Sequence, residues 1–296
     1  MTYLAREVPA WRRNHPCYSC HNNGDAVRAL IAAARQGHSV GAAIDETLAW
    51  LAQPEGWDRN SQGGGFDDKT LARIQFASAL DAAVEAGLAP REARVRAAAV
   101  VAGDQQSDGS WRLDSSESIG SPATYGRVLA TASARRTLAR SGWAAASAGI
   151  ASADRWLRSV KAVTVIDAAA VVVALEEARD ASAVAQRTRA LEILARGQAP
   201  DGGWGPYETS PSEPFDTALV MLALLPLANQ PDLAGPAFTG ASLADAAARG
   251  RRYLLARQSP DGSWPETTRP ARQESYAQRI STTSWALLAL LASGSR

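Results

Sequence analysis

Two groups of residues in this chain are of types and spacings that could do chemistry. The first is the stretch CYSCHNNG, Cys17 to Gly24, which holds both cysteines of the chain and one of its three histidines. Two thiols two residues apart, followed at once by His21, form the pattern that bonds a c-type haem. The thiols meet the two vinyl groups and the imidazole ligates iron. His15, His38 and Met221 are candidates for the opposite axial position. The same residues suit zinc, with Cys17, Cys20 and His21 as ligands and His15 or Asp25 completing four. They also suit a redox dithiol activated by the start of a helix over 23–36, or a structural turn with buried free thiols. The run Asn22-Asn23-Gly24-Asp25 supplies turn residues compatible with every one of these readings.

The second group is a set of acids placed just ahead of, or within, apolar helical runs. They are Asp67 and Asp68 in GGGFDDKTLA, Asp167 in VTVIDAAA, and Asp216 in EPFDTA. A carboxyl held in a dry pocket has a raised pKa and can donate a proton, and the adjacent Asp67–Asp68 pair could share one. The same placement also describes a helix N-cap, which needs no chemistry. Tyr125, with Thr124 and Gly126, and the run Ser281 to Trp285 could bring aromatic faces to a passing cation, or could be ordinary core.

What must position these residues is a repeat. QQSDGSW at 105–111, QAPDGGW at 198–204 and QSPDGSW at 258–264 each follow an Ala/Leu/Arg-rich helical segment and precede an apolar one. The predicted pairs are 43–52 with 69–87, 91–103 with 122–139, 151–160 with 163–178, 182–197 with 215–228, and 242–257 with 277–293. Segments 3–13 and 23–36 form a first pair whose turn is CYSCHNNG. In each DG-W turn, Gly takes a positive φ and the Asp oxygen bonds the following backbone. The Trp covers the end of a helix pair, and the Gln reaches backbone donors of the neighbouring pair. Six pairs predict an all-α, two-layer toroid over residues 1–296, a single (α/α)6 barrel. The more apolar trailing helices form its inner ring, and an open superhelix is the alternative. Acids at the starts of inner helices would then ring the mouth of a central cavity.

The totals exclude several classes. With 31 basic and 30 acidic side chains the net charge is +1, and no basic block suggests a nucleic-acid partner. No run of 18 apolar residues predicts a membrane span, although a peripheral membrane contact is compatible with the composition. The opening residues lack the apolar core of a secretion signal. The expected location is therefore cytoplasmic, or periplasmic or exported if a leader has been removed and haem c attached.

On QQSDGSW, QAPDGGW, QSPDGSW, FDTALVMLALL and STTSWALLAL, the chain resembles the terpenoid cyclase and protein prenyltransferase superfamily in the form of the squalene-hopene cyclase repeats. The resemblance implies an (α/α)6 barrel around a cavity that holds an isoprenoid. It also implies an acidic D-x-D-D-T-A motif at the head of an inner helix. In EPFDTA, Asp216 matches the last aspartate and Glu213 the first, while Phe215 stands where the proton donor would be. The prenyltransferase branch implies a zinc site of Asp, Cys and His in the later repeats, where this chain has no cysteine.

The expected function is thus a terpenoid-cyclase-like enzyme acting on a hydrophobic isoprenoid or lipid without the usual acid. Asp68 and Asp216 lead its candidate groups, followed by Asp67, Asp167 and Tyr125. The alternatives are a haem- or metal-binding redox or binding module built on CxxCH, and a glycan-active α/α barrel with paired carboxylates.

Overall fold

The computed structural model describes residues 1–15, 17–59, 68–114, 119–228, 230, 242–269 and 271–294. These residues carry twelve α-helices in six pairs. The outer members are α1 (Thr2–Asn14), α3 (Asp45–Leu51), α5 (Arg91–Ala102), α7 (Ser147–Ser159), α9 (Ala181–Gly197) and α11 (Leu243–Ala256). The inner members are α2 (Val27–Arg35), α4 (Lys69–Glu85), α6 (Arg127–Ser141), α8 (Val165–Ala174), α10 (Pro214–Leu227) and α12 (Tyr276–Gly294). Each inner helix packs on the next around the sequence, and α12 packs on both α10 and α2, so the ring closes. The toroid expected from the repeats is what the chain forms.

Burial separates the two layers. On α10, Phe215 to Met221 are buried without a break, because the helix is covered by its inner neighbours and by α11 behind. On α7 only Ala153 and Leu157 are buried, a single stripe facing the core. Among the described residues no helix is long and apolar enough to cross a membrane.

The DG-W turns join the layers by one repeated set of bonds. Trp111, Trp204 and Trp264 are buried, and each indole Nε1 donates across 2.7 Å to the carbonyl ten residues earlier, of Val101, Leu194 and Leu254. Each Trp backbone N–H donates to a threonine on its inner helix: Thr131 at 3.1 Å, Thr217 at 2.9 Å and Thr283 at 3.1 Å. Gly109, Gly202 and Gly262 have φ of 95°, 89° and 87°, a region that a side chain disfavours. The glutamines donate to backbone carbonyls rather than accept from backbone donors, and Gln198 Oε1 accepts from the Arg249 guanidinium. Gln105 Nε2 reaches Gly109 O and, in the next pair's outer helix, Gly149 O, both at 2.9 Å. Gln198 repeats this to Gly202 O and Ala246 O, again at 2.9 Å.

The first pair departs from the pattern. Its inner helix begins as a π-helical turn at Cys20–Ala26 and runs on into α2. Ser19 starts it, with its hydroxyl accepting from the Asn22 N–H and its own N–H donating to Asn23 Oδ1 at 2.8 Å. Asn23 in turn donates to Thr47 Oγ1 at 2.8 Å. Gly24 has no room for a side chain, since a Cβ there would lie 3.0 Å from that of Gln75 on α4. A wide π turn and a glycine together bring the residues after CYSCH against the neighbouring inner helix.

Candidate functional site

The inner ring encloses a cavity of about 600 Å³, lined from all six inner helices and the residues that follow them. Its lining belongs to their middle and C-terminal parts: Arg28 and Arg35 on α2, Asp81 and Glu85 on α4, Arg136 and Arg140 on α6. The DG-W turns sit at the opposite end, where the inner helices begin. Between the charged groups the wall is apolar, with Leu129, Leu219, Leu222, Val173 and Leu288. Trp285 closes it on the side of α12, and the Arg28 guanidinium lies 4.3 Å from the centre of its ring.

One helical turn before Arg28, on the π segment, lies Asp25. Its carboxyl is fully buried and accepts two hydrogen bonds. Tyr125 OH donates to Oδ1 at 2.9 Å and Gln75 Nε2 donates to Oδ2 at 2.8 Å. Burial pushes this carboxyl up from its ordinary range, against the opposing pull of the Arg28 charge and of the polar groups of Ser281, Tyr125 and Gln75. Tyr125 is itself buried with a positive φ of 54°, and its phenol is raised well above its usual range by burial and by the Asp25 charge. The Tyr125 and Phe215 rings each meet Trp285 edge-on, with centroids 5.8 Å apart. Of these groups only Trp285 lines the cavity; Tyr125, Phe215 and Asp25 are buried behind it. Sequence reasoning named Asp25 only as a turn residue and a possible fourth metal ligand.

The other acids singled out in the sequence lie at the starts of the inner helices, and none of those described lines the cavity, nor does Asp25. Asp68 is the N-cap of α4: Oδ1 accepts from the Leu71 N–H at 2.9 Å and Oδ2 from the Asp114 N–H at 2.8 Å. Asp67 lies outside the described residues. Asp167 forms a capping box with Thr164 at the head of α8. Asp216 is fully buried in the first turn of α10, and both its oxygens are held by Arg269, which also bonds Glu213 at 3.0 Å. Burial raises the Asp216 carboxyl to about 7 against the pull of Arg269. Phe215 is buried beside it, edge-on to Trp285.

The CYSCH stretch does not make the haem or metal site its spacing suggests. Among the described residues no group of three His, Cys, Asp or Glu side chains could hold a metal ion. The ligands that haem c or zinc would need, Cys17, Cys20, His21 and His15, are not gathered at one point. The π turn folds Cys20 inward, where burial pushes its thiol up to about 12, opposite to the activation expected of a redox dithiol. His21 sits edge-on to Trp11 and Tyr276, at 5.2 and 5.9 Å between centroids, and burial lowers its pKa to about 4. Its nearest polar contact in the stretch is Cys20 Sγ, 3.8 Å from Nδ1. His15 stacks on the far face of the cluster against Trp11, at 3.9 Å. The motif is a packed aromatic corner that anchors α1 to the ring.

Comparison with known proteins agrees with this architecture. No family model matches the chain. A drimenyl diphosphate synthase from Streptomyces showdoensis is 38% identical over 89 residues, which are 30% of this chain. The match spans 14% of that relative, so only a small part of its length is represented. The type II terpene cyclase MstE from Scytonema, in complex with geranylgeranyl dihydroxybenzoate, superposes with a TM-score of 0.57 at 16% identity, over 92% of this chain and 87% of that one. The ent-copalyl diphosphate synthase from Streptomyces platensis gives 0.58 at 20% identity, over 93% of this chain and 50% of that one. A possible member of the GH105 family from Salmonella enterica gives 0.56 at 11% identity, over 93% and 82%. At these identities the likeness is one of fold alone, a two-layer α/α barrel shared by the terpene cyclases and the possible GH105 member.

Proposed function

We propose that the protein is a terpenoid-cyclase-like enzyme that binds an isoprenoid chain in the central cavity and starts its rearrangement by protonating a double bond. The observation that carries this reading is the cavity itself: a chamber inside the inner ring whose wall is apolar between charged groups and is closed by Trp285, with Tyr125, Phe215 and a buried carboxyl packed behind that ring. The segment related to drimenyl diphosphate synthase and the fold likeness to MstE support the same class.

Asp25 is the acid in this reading. Asp68 and Asp167 are committed to helix caps, and Asp216 has both oxygens on Arg269. Among the described residues no guanidinium pairs with Asp25 within 4 Å, and its burial, against the more distant Arg28 charge, favours the neutral, proton-bearing form. The neutral form also has an acceptor at hand. Gln75 Oε1 is buried without a hydrogen-bond partner, and a half-turn of the Gln75 amide brings it toward the Asp25 proton. When the proton leaves to a substrate carbon, Tyr125 and Gln75 hold the carboxylate that results, and the face of Trp285 opposes the developing cation. Arg28 is the cost of this arrangement, since its charge opposes a cation near Trp285.

A glycan-active reading needs a free carboxylate pair across the cavity. Asp81 and Glu85 are instead both drawn to Arg94, at 3.1 and 2.6 Å. Incubation with linear isoprenoids of 15 to 30 carbons, as alcohols, acids and diphosphates, should yield cyclic products. If the whole series is returned unchanged and unbound, the reading fails.

A further inference from the structure

We infer that Trp285, held by Arg28, is a movable partition between the central cavity and the acid, and that a substrate chain reaches Asp25 only when the indole turns aside. This rests on the reading of the cavity as the substrate chamber and of Asp25 as its proton donor, and adds the residue that controls when the two meet. The inner helices all start at the end of the ring that carries the turns, so residues one turn apart on each lie in successive layers about 5.4 Å apart. On five of these helices the lining of the cavity begins with Arg28, Ser78, Leu129, Leu219 and Trp285. One turn earlier on the same helices stand Asp25, Gln75, Tyr125, Phe215 and Ser281, all buried and none of them on the cavity. The acid thus lies a whole layer beyond the end of the cavity, whereas direct proton transfer needs an approach of about 3 Å.

Trp285 is the largest side chain of the boundary layer and touches both sides of it. Its ring lines the cavity, and the Tyr125 and Phe215 rings meet it from behind at 5.8 Å between centroids. Arg28, on the neighbouring helix α2, lays its guanidinium 4.3 Å from the ring centre. No hydrogen bond fastens the indole. In the three turn tryptophans Nε1 donates to a carbonyl at 2.7 Å, whereas Nε1 of Trp285 is buried without a partner. Trp11 and Trp57 share this lack, but neither lines the cavity. Nε and Nη2 of Arg28 are buried and unpartnered as well. A closed position that leaves three buried donors unpaired is weakly held, because each carries its desolvation cost with nothing in return. The open position has room, since the cavity in front of the ring measures about 600 Å³.

With the ring turned aside, an apolar chain end can lie against Tyr125 and the Asp25 carboxyl. The proton then passes from the carboxyl oxygen to a substrate carbon, and the carboxylate keeps its bonds from Tyr125 and Gln75. With the ring closed, solutes in the cavity are kept off the acid. Trp285 is therefore a positioning residue, whose removal changes access to Asp25 and not the acid itself.

The test labels the full chain with dicyclohexylcarbodiimide, an apolar reagent that reacts with protonated carboxyls and leaves a stable N-acylurea. Glu176 is the internal standard, since it lines the cavity and burial raises its pKa. The readout is the rate of adduct formation at Asp25 relative to Glu176, followed by peptide mass spectrometry. In the wild type Asp25 should label, at least tenfold more slowly than Glu176. Trp285→Ala should raise the ratio tenfold or more, and Trp285→Phe, which restores a ring, should stay within threefold of the wild type. Trp285→Leu serves in the same way if Trp285→Ala does not melt cooperatively. A ratio unchanged in the folded variant, or no Asp25 adduct at all in the wild type, overturns the movable partition; loss of cyclic product in Asp25→Asn would then leave the acid reading standing. A raised ratio in a protein that returns every isoprenoid unchanged keeps the partition and overturns the cyclase reading. Glu176 unlabelled in every form overturns the chamber, and the partition with it.

Discussion

Replacing Asp25 by Asn separates an acid from a merely structural carboxyl, because the surroundings can accept the amide. The Asn Oδ1 keeps the hydrogen bond from Tyr125 OH, now 2.9 Å long. The new NH₂ group would face the Gln75 NH₂, but a half-turn of Gln75 presents Oε1, which is unpartnered in its present orientation. The hydrogen-bond count at the site is therefore conserved. The expected change in stability is within about 1 kcal/mol, which for a chain of this length is a shift in Tm of about 2 °C. The effect on turnover is of another size. A positioned general acid supplies roughly 10²–10⁴-fold, or about 3–5 kcal/mol of the barrier, so cyclic product from Asp25→Asn should fall by at least a hundredfold while the protein still melts cooperatively.

The pH dependence gives a second reading of the same residue that needs no substrate. The Asp25 carboxyl is raised above its unfolded value near 3.8. Between those two values the folded chain holds a proton that the unfolded chain has lost. The stability contributed by neutral Asp25 is therefore complete below about pH 4, and it is lost as pH rises through the folded value. Thermal melts of the wild type should show this decline relative to Asp25→Asn, in which position 25 cannot titrate. Infrared difference spectra between the two should show a protonated carboxyl stretch in the wild type that persists to higher pH than that of an exposed aspartate. Unchanged product formation by Asp25→Asn, or a variant several kcal/mol less stable at pH 7 with no carboxyl band in the wild type, would refute the assignment.

Five further outcomes follow from the geometry. Arg269→Met leaves Asp216 buried without the cation that holds its pKa down, so the carboxyl shifts up beyond about 7; the loss should reach about 3–5 kcal/mol in alkaline buffer by denaturant melt and shrink as the pH is lowered and the carboxyl takes up a proton. Gln198→Ala removes two bonds of 2.9 Å, one within its own turn and one to the next pair's outer helix, and should cost about 1–3 kcal/mol. Gln258→Ala removes one bond of 3.3 Å from an exposed side chain and should cost less, which a paired melt will show. Gly109→Ala puts a Cβ 2.4 Å from Ser152 O at a φ of 95° and should prevent folding to a soluble product. Gly37→Ala, at a φ of 83° with nothing within 4 Å, should cost only about 1 kcal/mol and express normally.

How much of this was legible depended on whether a residue's role is local. The tryptophan turns were readable because the whole device fits in a few residues: a positive-φ glycine, an Asp that bonds two positions on, and an indole that reaches back ten. Their recurrence then set the number of helix pairs. The acids at helix starts were also readable, and their two meanings, cap or donor, could not be told apart until the bonds to Leu71, Asp114, Thr164 and Arg269 were in view. The CxxCH stretch misled because spacing says nothing of direction: the π turn folds Cys20 inward and sets His21 between two aromatic edges. Asp25 was hidden for the converse reason. Within Asn-Asn-Gly-Asp it reads as a turn, and its partners Gln75 and Tyr125 lie 50 and 100 residues away. Arg28 looks like a solvent-facing arginine on a helix, and only closure of the ring between α12 and α2 lays it on Trp285.

The repeat also explains how an acid could change helices without leaving the site. In a ring of six equivalent pairs, the start of every inner helix faces the same end of the ring from a different angle. The resemblance puts the proton donor where Phe215 stands, at the head of α10. Here that position carries a ring that meets Trp285 edge-on, and the buried carboxyl is two helices further round, on the π turn before α2. Trp285, on the helix between them, touches Phe215 on one side and Tyr125 on the other, and Tyr125 holds Asp25. If this displacement is functional, restoring the resemblance with Phe215→Asp should not restore a conventional cyclase. A second acid at that position would be buried beside Asp216 and Glu213, and two carboxyls there would compete for Arg269. The variant should lose several kcal/mol of stability and gain no turnover in an Asp25→Asn background. Rescue of product formation by Phe215→Asp in that background would instead show that the head of α10 is still the working position and that Asp25 serves only to pack behind Trp285.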